Sequence, residues 1–541
     1  MRKLFLLWTA ACALGALAGT YVWQGAPGGV GPQNRCAEQP DLARDPNRPQ
    51  LRYTPRFGWV NDPNGLTWQN GEWRFFYQHN PTGTQWGNMH WGYAVSTDLV
   101  HWEERKPVLA PDAMGMMFSG SGVVDRENTA GFGKDAHVLL YTAAGEKGKP
   151  FTQCLAFSRD GRRYEKYAGN PVIPQLSPGN RDPKVFWHAP TRAWVMALYG
   201  EENGRHVVWI LTSPDLKTWT KRSTVMGGET AKKDRWLYEC PGLEELKIEG
   251  EDGTAWVLWG ADNAYAVGTF DGAVFRPEAT RLAGVVAARE GGMPYYAAQT
   301  YANAPDGRAV WVAWYHLPKR PCMDFTHAFS LPQELTLRRT PKGLRLVRRP
   351  ARELAALREG ESVPFALFDG ELAEIDVACA VASDGRLALD LRGVPLVYDA
   401  AKGTLTVAGR TFDWPLDRGR LAFKAFLDRV GLEIFSADGL RVAAVPEAWP
   451  KPPCRSLAVT ARTGVTEASF RATRLRSIWT PHTVRGKGDG GMGKRASDSG
   501  KGRACCDRLA RRAKYPCRLG AWRSGLVVWN GRVVKENGNV L

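Results

Sequence analysis

The sequence predicts an all-β protein, a five-bladed β-propeller followed by a C-terminal β-sandwich. Three observations indicate this fold class: a turn motif recurs at nearly constant spacing, apolar β-type runs precede each copy, and the chain is rich in Trp (22) and Gly (58). At 541 residues the chain also exceeds the size of one hydrophobic core. We therefore expect at least two domains.

The turn motif places a small residue near an Asp, and an aromatic residue four positions after that Asp. Its four copies are Asp98 with Trp102, Asp160 with Tyr164, Asp215 with Trp219 and Asp271 with Phe275, and successive Asp residues are 62, 55 and 56 apart. Such a period suits four short strands with their loops, which is the content of one propeller blade. Similar sequence over 295–337 supplies a fifth blade, so we predict a propeller domain over residues 51–345. A sandwich built from hairpins is the alternative.

Beyond the propeller the turn motif is absent, although strand patterns continue. Residues 387–391 and 404–407 are typical of strands. We predict a linker and a β-sandwich domain over residues 346–479, a common domain size.

The N-terminus has the layout of an export signal. Arg2 and Lys3 precede an apolar run from Leu4 to Ala18, and Ala16-Leu17-Ala18 is a candidate cleavage site. We predict a signal peptide over residues 1–23, a Gly/Pro-rich linker over 24–50, and a secreted protein, periplasmic or extracellular. The alternative is an uncleaved N-terminal membrane anchor, since about 20 apolar residues span a bilayer.

Most of the formal net charge of +17 lies at the C-terminus. From Pro481 to Leu541 there are 14 Lys and Arg against 4 Asp and Glu, a net of +10. Without Arg2 and Lys3, about +5 remains for the long middle of the chain. This distribution and the lack of a binding motif argue against nucleic acid as a partner. Residues 480–541 are predicted to be a basic, disordered tail or a frame-shifted end, with a basic surface-binding tail as the alternative.

Three acidic residues fall in successive repeats. Asp62 lies in a turn-rich segment, Asp182 follows Arg181, and Glu239 lies in Trp236-Leu237-Tyr238-Glu239-Cys240-Pro241. Singly, the first is typical of a turn and the second of a surface ion pair. Apolar neighbours of Glu239 favour a proton donor, since desolvation disfavours a charged carboxylate. Because propeller strands converge on one axis, the three acids can meet there. Two carboxyl groups on either side of a bond suit glycoside hydrolysis.

In combination, these motifs resemble glycoside hydrolase family 32, the family of invertases, levanases and inulinases, from about Tyr53 to Trp479. The matching segments are Trp59 to Gly65, Phe76-Tyr77-Gln78 with Asn80-Pro81, Trp86-Gly87 through His90-Trp91-Gly92, Phe118-Ser119-Gly120-Ser121, Arg181-Asp182-Pro183, Glu239-Cys240-Pro241, Tyr296 to Thr300, and Ser330-Leu331-Pro332 with Glu334 to Leu337. In the second domain, Asp428-Arg429 and Glu433-Ile434-Phe435 resemble the sandwich signature of the family. The motifs are most similar to those of bacterial exo-acting fructan β-fructosidases.

The resemblance implies a retaining double displacement on a fructan (levan or inulin) or on sucrose. Asp62 would be the nucleophile, Glu239 the general acid and then base, and Asp182 would hold ring hydroxyls in the transition state. The terminal fructose site would be lined by Asn61, Gln78, Trp86, Phe118, Ser119, Arg181 and Tyr296. We expect no cofactor, and the scattered cysteines indicate no metal site.

Two alternative functions stay open, and the chain departs from the family pattern in two segments. A fructosyltransferase shares the same covalent intermediate, and a non-catalytic carbohydrate-binding propeller shares the fold. The chain departs from the family pattern at Pro294-Tyr295 and from His316 to Phe325. These segments concern the leaving-group side of the pocket, and hence the preference among substrates.

Overall fold

Four-stranded antiparallel sheets follow one another along the first part of the chain. The computed structural model describes residues 41–145, 148–232, 234–283 and 294–479, and two short strands near the C-terminus. Blade I consists of β1 (Gly58–Gln69), β2 (Glu72–Asn80), β3 (His90–Ser96) and β4 (Glu103–Leu109). Blade II consists of β5 (Met116–Asp125), β6 (Ala136–Ala144), β7 (Thr152–Ser158) and β8 (Glu165–Lys166). Blade III consists of β9 (Arg181–His188), β10 (Ala193–Glu202), β11 (Arg205–Ser213) and β12 (Thr220–Glu229), and blade IV of β13 (Gly242–Lys247), β14 (Thr254–Trp259), β15 (Ala264–Phe270) and β16 (Phe275–Ala283).

Blade V closes the ring. It contains β17 (Tyr295–Thr300), β18 (Ala309–Tyr315), β19 (Phe325–Thr326), β20 (Ala328–Phe329), β21 (Gln333–Thr340) and β22 (Gly343–Pro350). β17, β18, β21 and β22 form the sheet, and β20 pairs with β18. β19 instead pairs in parallel with β1, through Gly58 with Phe325 and Trp59 with Thr326. The last blade is thereby joined to the first, as a propeller requires, and the predicted fold class is confirmed.

The turn motif found in the sequence joins the third and fourth strands of blades I to IV. In each copy the Asp carboxylate accepts hydrogen bonds from backbone N–H groups two and three residues later; for Asp215 the donors are Lys217 at 2.9 Å and Thr218 at 2.7 Å. The equivalent acceptors are Asp98, Asp160 and Asp271. The repeat thus arises from side-chain-capped turns at one place in each blade.

The first strand of each blade lies at the centre of the ring. β1 contacts β5 and β17, β5 contacts β9, and β13 contacts β17. Apolar side chains of neighbouring blades fill the space between the sheets, in clusters that combine, for example, Val138 and Leu140 of blade II with Met196 and Leu198 of blade III. Polar side chains at the starts of the inner strands are therefore brought together around the axis.

The second β region follows blade V and has its own buried core. Its strands are β23 (Arg358–Pro364), β24 (Ala373–Leu391), β25 (Val394–Asp399), β26 (Thr404–Val407), β27 (Arg410–Asp413), β28 (Arg420–Leu427), β29 (Leu432–Ser436), β30 (Val442–Val445) and β31 (Leu457–Leu475). The long strands β24 and β31 pair with each other; β24 pairs with β28 in its first half and with β25 in its second. Side chains from both halves share one apolar core, which is consistent with a β-sandwich.

A buried ion network joins the segment ahead of blade I to the second β region. The Arg52 guanidinium donates to Oδ2 of Asp428 at 2.6 Å and to Oε1 of Glu433 at 2.7 Å, and all three side chains are fully buried. Gln50, within the predicted linker, is also buried and donates its backbone N–H to Asp428 at 2.7 Å. The Tyr295 hydroxyl donates a hydrogen bond to Oε2 of Glu433, so the network reaches the first strand of blade V.

Regular helix is confined to short 3₁₀ turns in the described ranges. These are Ala189–Thr191, Thr230–Lys232, Pro305–Gly307, Arg352–Leu357 and Phe365–Leu367. Over the same ranges, no helix has the length and apolar character needed to cross a membrane. The predicted signal peptide or anchor over 1–23 lies outside the described residues.

The C-terminal unit, Thr483–Leu541, is described only by two strands. β32 (Val527–Trp529) and β33 (Arg532–Val534) form an antiparallel pair with Trp529 opposite Arg532. The remaining residues of the predicted basic tail lie outside the described part of the chain.

Candidate active site

Asp62 is presented by an irregularity near the start of the innermost strand of blade I. The pairing of β1 with β2 shifts between Val60 and Pro63, so the segment that carries Asp62 departs from the regular ladder. Asn61 donates to Oδ1 of Asp62 at 3.0 Å, and the Ser119 hydroxyl donates to Oδ2 at 2.5 Å. Burial raises the pKa of Asp62, and these two donors oppose that rise. The predicted residues Asn61 and Ser119 thus hold the half-buried carboxyl group of Asp62.

Asp182 is the second residue of β9 and has a left-handed backbone conformation, with φ of 65°. Its side chain is 5% exposed, and its Oδ2 accepts a hydrogen bond from the backbone N–H of Cys240 at 3.1 Å. Burial raises the pKa of Asp182 to about 7, against the opposing charge of Arg181 and with a further increase from Asp62 and Glu239. A non-glycine residue held at positive φ is strained, and such strain is concentrated at functional sites.

Glu239 lies in the loop that leads into β13, and three residues of this loop have positive φ: Leu237 (58°), Glu239 (55°) and Cys240 (41°). Arg181 binds Oε1 of Glu239 through Nη2 at 2.5 Å and Nε at 3.1 Å. The Tyr296 hydroxyl donates to Oε2 at 2.6 Å. The predicted residues Arg181 and Tyr296 therefore fix both oxygens of this carboxyl group.

The surroundings of Glu239 differ from the sequence-based expectation of an apolar environment. Trp236 and Leu237 are buried in the core, whereas the Glu239 side chain is 22% exposed and paired with Arg181. The positive φ values in this loop place Glu239 in surroundings different from those of Trp236 and Leu237. An ion pair therefore replaces the expected apolar pocket.

Cys240 connects the two aspartates, and the sequence interpretation gave it no role. Its thiol lies 3.5 Å from Oδ2 of Asp62 and 3.4 Å from Oδ2 of Asp182. The sequence does place Cys240 directly after Glu239. This adjacency alone does not reveal that Cys240 contacts residues 58 and 178 positions away. Together the contacts bring the three predicted acids around one space.

The remaining predicted residues lie at the edge of this space or behind it. Trp86 is 51% exposed, and its ring is 5.9 Å from that of Phe118 in an edge-on arrangement. Phe151, which the sequence did not single out, packs edge-on against Phe118 at the same distance, 5.9 Å. Gln78 is buried and donates to the carbonyl of Met117 at 2.8 Å, one residue before Phe118. Exposed aromatic faces at a polar site suit the stacking of sugar rings.

The ligand atoms of Asp62, Asp182 and Cys240 lie within 4.8 Å of one another, a spacing that a metal ion could bridge. A thiol must lose its proton to bind a metal, and burial raises the pKa of Cys240 well above its usual value. The carboxylates moreover already accept hydrogen bonds from Asn61, Ser119 and Cys240. These observations suit a site for sugar hydroxyls better than a metal centre.

A separate cavity of about 510 Å³ is lined by the opposite ends of the inner strands, including Asp125, Lys184, Glu244 and Tyr301. None of the predicted site residues lines it. This cavity is therefore separate from the three acids. The geometry of their carboxyl groups, and not the size of a cavity, defines the candidate active site.

Comparison with known proteins places this geometry in a family. The model of the glycosyl hydrolases family 32 N-terminal domain matches residues 52–350, more than half of the chain. The levanase of Bacillus subtilis (strain 168) is 33% identical over 453 residues, which are 73% of this chain and 65% of the levanase. The extracellular exo-inulinase of Meyerozyma guilliermondii is 35% identical over 317 residues, 54% of this chain and 59% of the exo-inulinase. The chain thus spans less than two thirds of the length of these relatives.

Solved structures share the architecture. The exo-inulinase from Aspergillus awamori superposes with a TM-score of 0.69 at 27% identity, covering 81% of this chain and 100% of the other. The fructofuranosidase from Schwanniomyces occidentalis, complexed with fructose, has a TM-score of 0.69 at 24% identity and covers 80% of this chain and 99% of the other, which shows the fold alone. With the family model matched over the propeller and the acids gathered at its axis, this chain belongs to glycosyl hydrolases family 32.

Proposed function

We propose that this protein is a secreted β-fructosidase that releases terminal β-D-fructose from fructans or sucrose by a retaining double displacement. The observation that supports this most strongly is the arrangement of Asp62, Asp182 and Glu239 around one space at the propeller axis, with separate polar partners for each. The names of the relatives, levanase and exo-inulinase, agree with such a substrate.

In the first step, a carboxylate oxygen of Asp62 attacks the anomeric carbon of the terminal fructose. The bond to the leaving oxygen breaks, and that oxygen takes the proton of Glu239. Asn61 and Ser119 hold the Asp62 carboxylate, so little reorganisation precedes the attack. The product is a fructosyl ester on Asp62 and a free leaving group.

In the second step, water attacks the anomeric carbon and gives its proton to Glu239, and the ester bond to Asp62 breaks. The cation of Arg181 stabilises the charged carboxylate that accepts this proton. The Tyr296 hydroxyl can donate or accept, so its contact with Oε2 suits both protonation states of Glu239. Asp182, beside Asp62 and Cys240, holds ring hydroxyls of the fructosyl unit.

Product analysis tests the proposal. The full chain is incubated with sucrose, inulin and levan, and free fructose is quantified by chromatography, while the anomer formed first is identified by NMR. We expect fructose with the β configuration, and no release from any substrate by Asp62→Asn. Asp160→Asn, which changes an exposed turn carboxylate of blade II, is the matched control and should retain full activity.

Two results would contradict the proposal. Absence of fructose from all three substrates would favour a non-catalytic carbohydrate-binding protein. Transfer of fructose mainly to sugar acceptors at high sucrose, with little free fructose, would identify a fructosyltransferase.

A further inference from the structure

Five aromatic rings form a continuous wall beside the three acids. We call Trp59, Tyr296, Trp314, His316 and His327 the histidine wall. The His316 ring lies 4.0 Å from Trp314 and 5.4 Å from His327, and the His327 ring lies 4.8 Å from Trp59. All five side chains are half-buried, so the wall retains an open side.

The wall carries polar atoms that lack a partner. Nε2 of His316, Nδ1 of His327 and Nε1 of Trp314 are buried and have no hydrogen-bond partner among the described residues. Leaving one buried donor or acceptor without a partner costs about 1–3 kcal/mol of folding free energy. Three such atoms on neighbouring rings therefore call for an explanation. Such a set of donors and acceptors is suited to a polar ligand.

Hydrogen bonds connect the wall to both ends of the proposed reaction. Trp59 donates to Oδ1 of Asn61 at 2.8 Å, and Asn61 in turn donates to Asp62. On the other side, Tyr296 donates to Glu239, while its ring lies 6.0 Å from Trp314 and 6.3 Å from His316. The wall therefore stands beside the group that is to protonate the leaving oxygen.

We propose that Trp314, His316 and His327 bind the leaving-group sugar, which is an uncharged hexose unit hydrogen-bonded by the two imidazoles and packed against the indole. This inference rests on the proposed function, because it names the residues that bind the sugar released when the bond to the fructosyl unit breaks. It also gives a role to two histidines in or next to the segment that departs from the family pattern.

The charge state of the imidazoles indicates the class of ligand. Burial lowers the pKa of His316 to about 4. Burial and the neighbouring His316 lower the pKa of His327 to about 3, against a hydrogen bond with the backbone of Leu317 that raises it. Both rings are therefore neutral near pH 6, and a neutral imidazole offers one donor and one acceptor. Sugar hydroxyls match this pair, whereas a phosphate requires cations.

The test compares substrates that share the fructosyl unit but differ in the leaving group. We expect His316→Ala and His327→Ala each to lower kcat/KM for sucrose about 10-fold, mainly through KM, since one lost hydrogen bond costs about 1.4 kcal/mol. For an aryl fructoside with an activated leaving group the loss should stay below about 3-fold, as no sugar contacts are removed. The inhibition constant of fructose should not change, because fructose fills the Asp62 side.

Controls keep the inference falsifiable. His101→Ala removes a histidine of blade I that is hydrogen-bonded to Asp98, and it should change the activity on neither substrate. If an alanine variant does not fold, His316→Gln and His327→Gln preserve polarity and should show the same ordering of substrates with smaller losses. Equal losses on both substrates, an unchanged KM for sucrose, or preferential hydrolysis of sucrose phosphorylated on its glucose would overturn the assignment. If the wild-type protein released fructose from neither substrate, the proposed function itself would be wrong.

Discussion

The hydroxyl oxygen of Tyr296 lies 2.6 Å from Oε2 of Glu239, whereas Arg181 binds the other carboxyl oxygen, Oε1. Both oxygens of Glu239 are thereby held from different blades, one from β9 and one from β17. A carboxyl group placed in this way has little freedom to rotate, so its geometry depends on both partners.

Removing the Tyr296 hydroxyl should lower the rate more than the affinity. Tyr296→Phe keeps the ring in the histidine wall and deletes only the hydrogen bond to Glu239, so we expect kcat on sucrose to fall by about 10-fold or more with a small change in KM. Steady-state kinetics measure this. Tyr398→Phe is the control, because the Tyr398 hydroxyl is buried in the second β region without a partner among the described residues. If Tyr296→Phe raised KM and left kcat unchanged, the hydroxyl would act in substrate binding instead.

Glu239→Gln should separate substrates by the quality of their leaving groups. General-acid catalysis contributes about 10²- to 10⁴-fold, and the contribution shrinks when the leaving group needs no proton. We expect a severe loss on sucrose and inulin and a much smaller loss on an activated aryl fructoside. Added azide should increase turnover of the variant, since it replaces the water that needs a base. Equal inactivity on all substrates, without azide rescue, would exclude the assigned role.

Asp182→Asn should stabilise the protein while it abolishes activity. The pKa of about 7 in the folded state is above 3.8, the ordinary pKa of an Asp side chain, so between these two pH values the folded state binds more protons than the unfolded state. The contribution of Asp182 to stability is therefore lost as pH rises from about 4 to 7, and the uncharged Asn avoids this loss. We expect the gain in unfolding free energy to grow from near zero at pH 4 to about 1–3 kcal/mol at pH 8.

Denaturant unfolding of the wild-type protein and Asp182→Asn at several pH values measures this difference. A gain that is constant with pH, or that declines as pH rises, would show that the Asp182 carboxyl group does not titrate in this direction.

Arg52→Met should destabilise the protein strongly. It leaves the carboxylates of Asp428 and Glu433 buried without their cation, and breaking such a network costs about 3–5 kcal/mol. Thermal unfolding measures the fall in Tm. Arg339→Met, which removes the exposed partner of Glu251, is the control and should leave Tm unchanged. A similar Tm for Arg52→Met and the wild type would mean that the network contributes little.

Ending the chain after Trp479 should preserve activity and thermal stability. Trp479 packs on Tyr53 with ring centroids 6.1 Å apart and donates to the carbonyl of Pro49 at 2.7 Å, so the shortened chain retains these contacts. Activity on sucrose and Tm of the shortened and full-length proteins are compared. Loss of soluble, folded protein would show that the C-terminal unit contributes to folding.

The blades could be predicted because they share a local signal. Asp98, Asp160, Asp215 and Asp271 each cap a turn with bonds to residues nearby in sequence, and local interactions leave a visible period. Blade V lacks the turn motif because its last two strands are joined by a tight hairpin in which Thr340 pairs with Gly343. Blade V was predicted instead from the similar sequence over 295–337.

That the three acids lie close together could be predicted from their motifs, but their surroundings could not. Sequence neighbours of Glu239 suggested an apolar pocket, whereas positive φ values at Leu237, Glu239 and Cys240 direct adjacent side chains to different places. The contact with Arg181 crosses from one blade to the next, 58 residues away. Non-local pairs of this kind leave no period in the sequence. The sequence therefore singled out Tyr296 and the segment that begins at His316, but not the contacts that join them in the histidine wall.

The Arg52 network has a consequence for how this lineage can change. A substitution at Arg52, Asp428 or Glu433 alone leaves an uncompensated charge in a dry interior, whereas their joint replacement by apolar residues of similar volume can be neutral. Intermediates on the way to such a replacement are penalised, so the three positions should covary among homologous sequences. Positions nearly 400 residues apart in the chain should therefore change together. For the same reason, the second β region should be inherited together with the propeller.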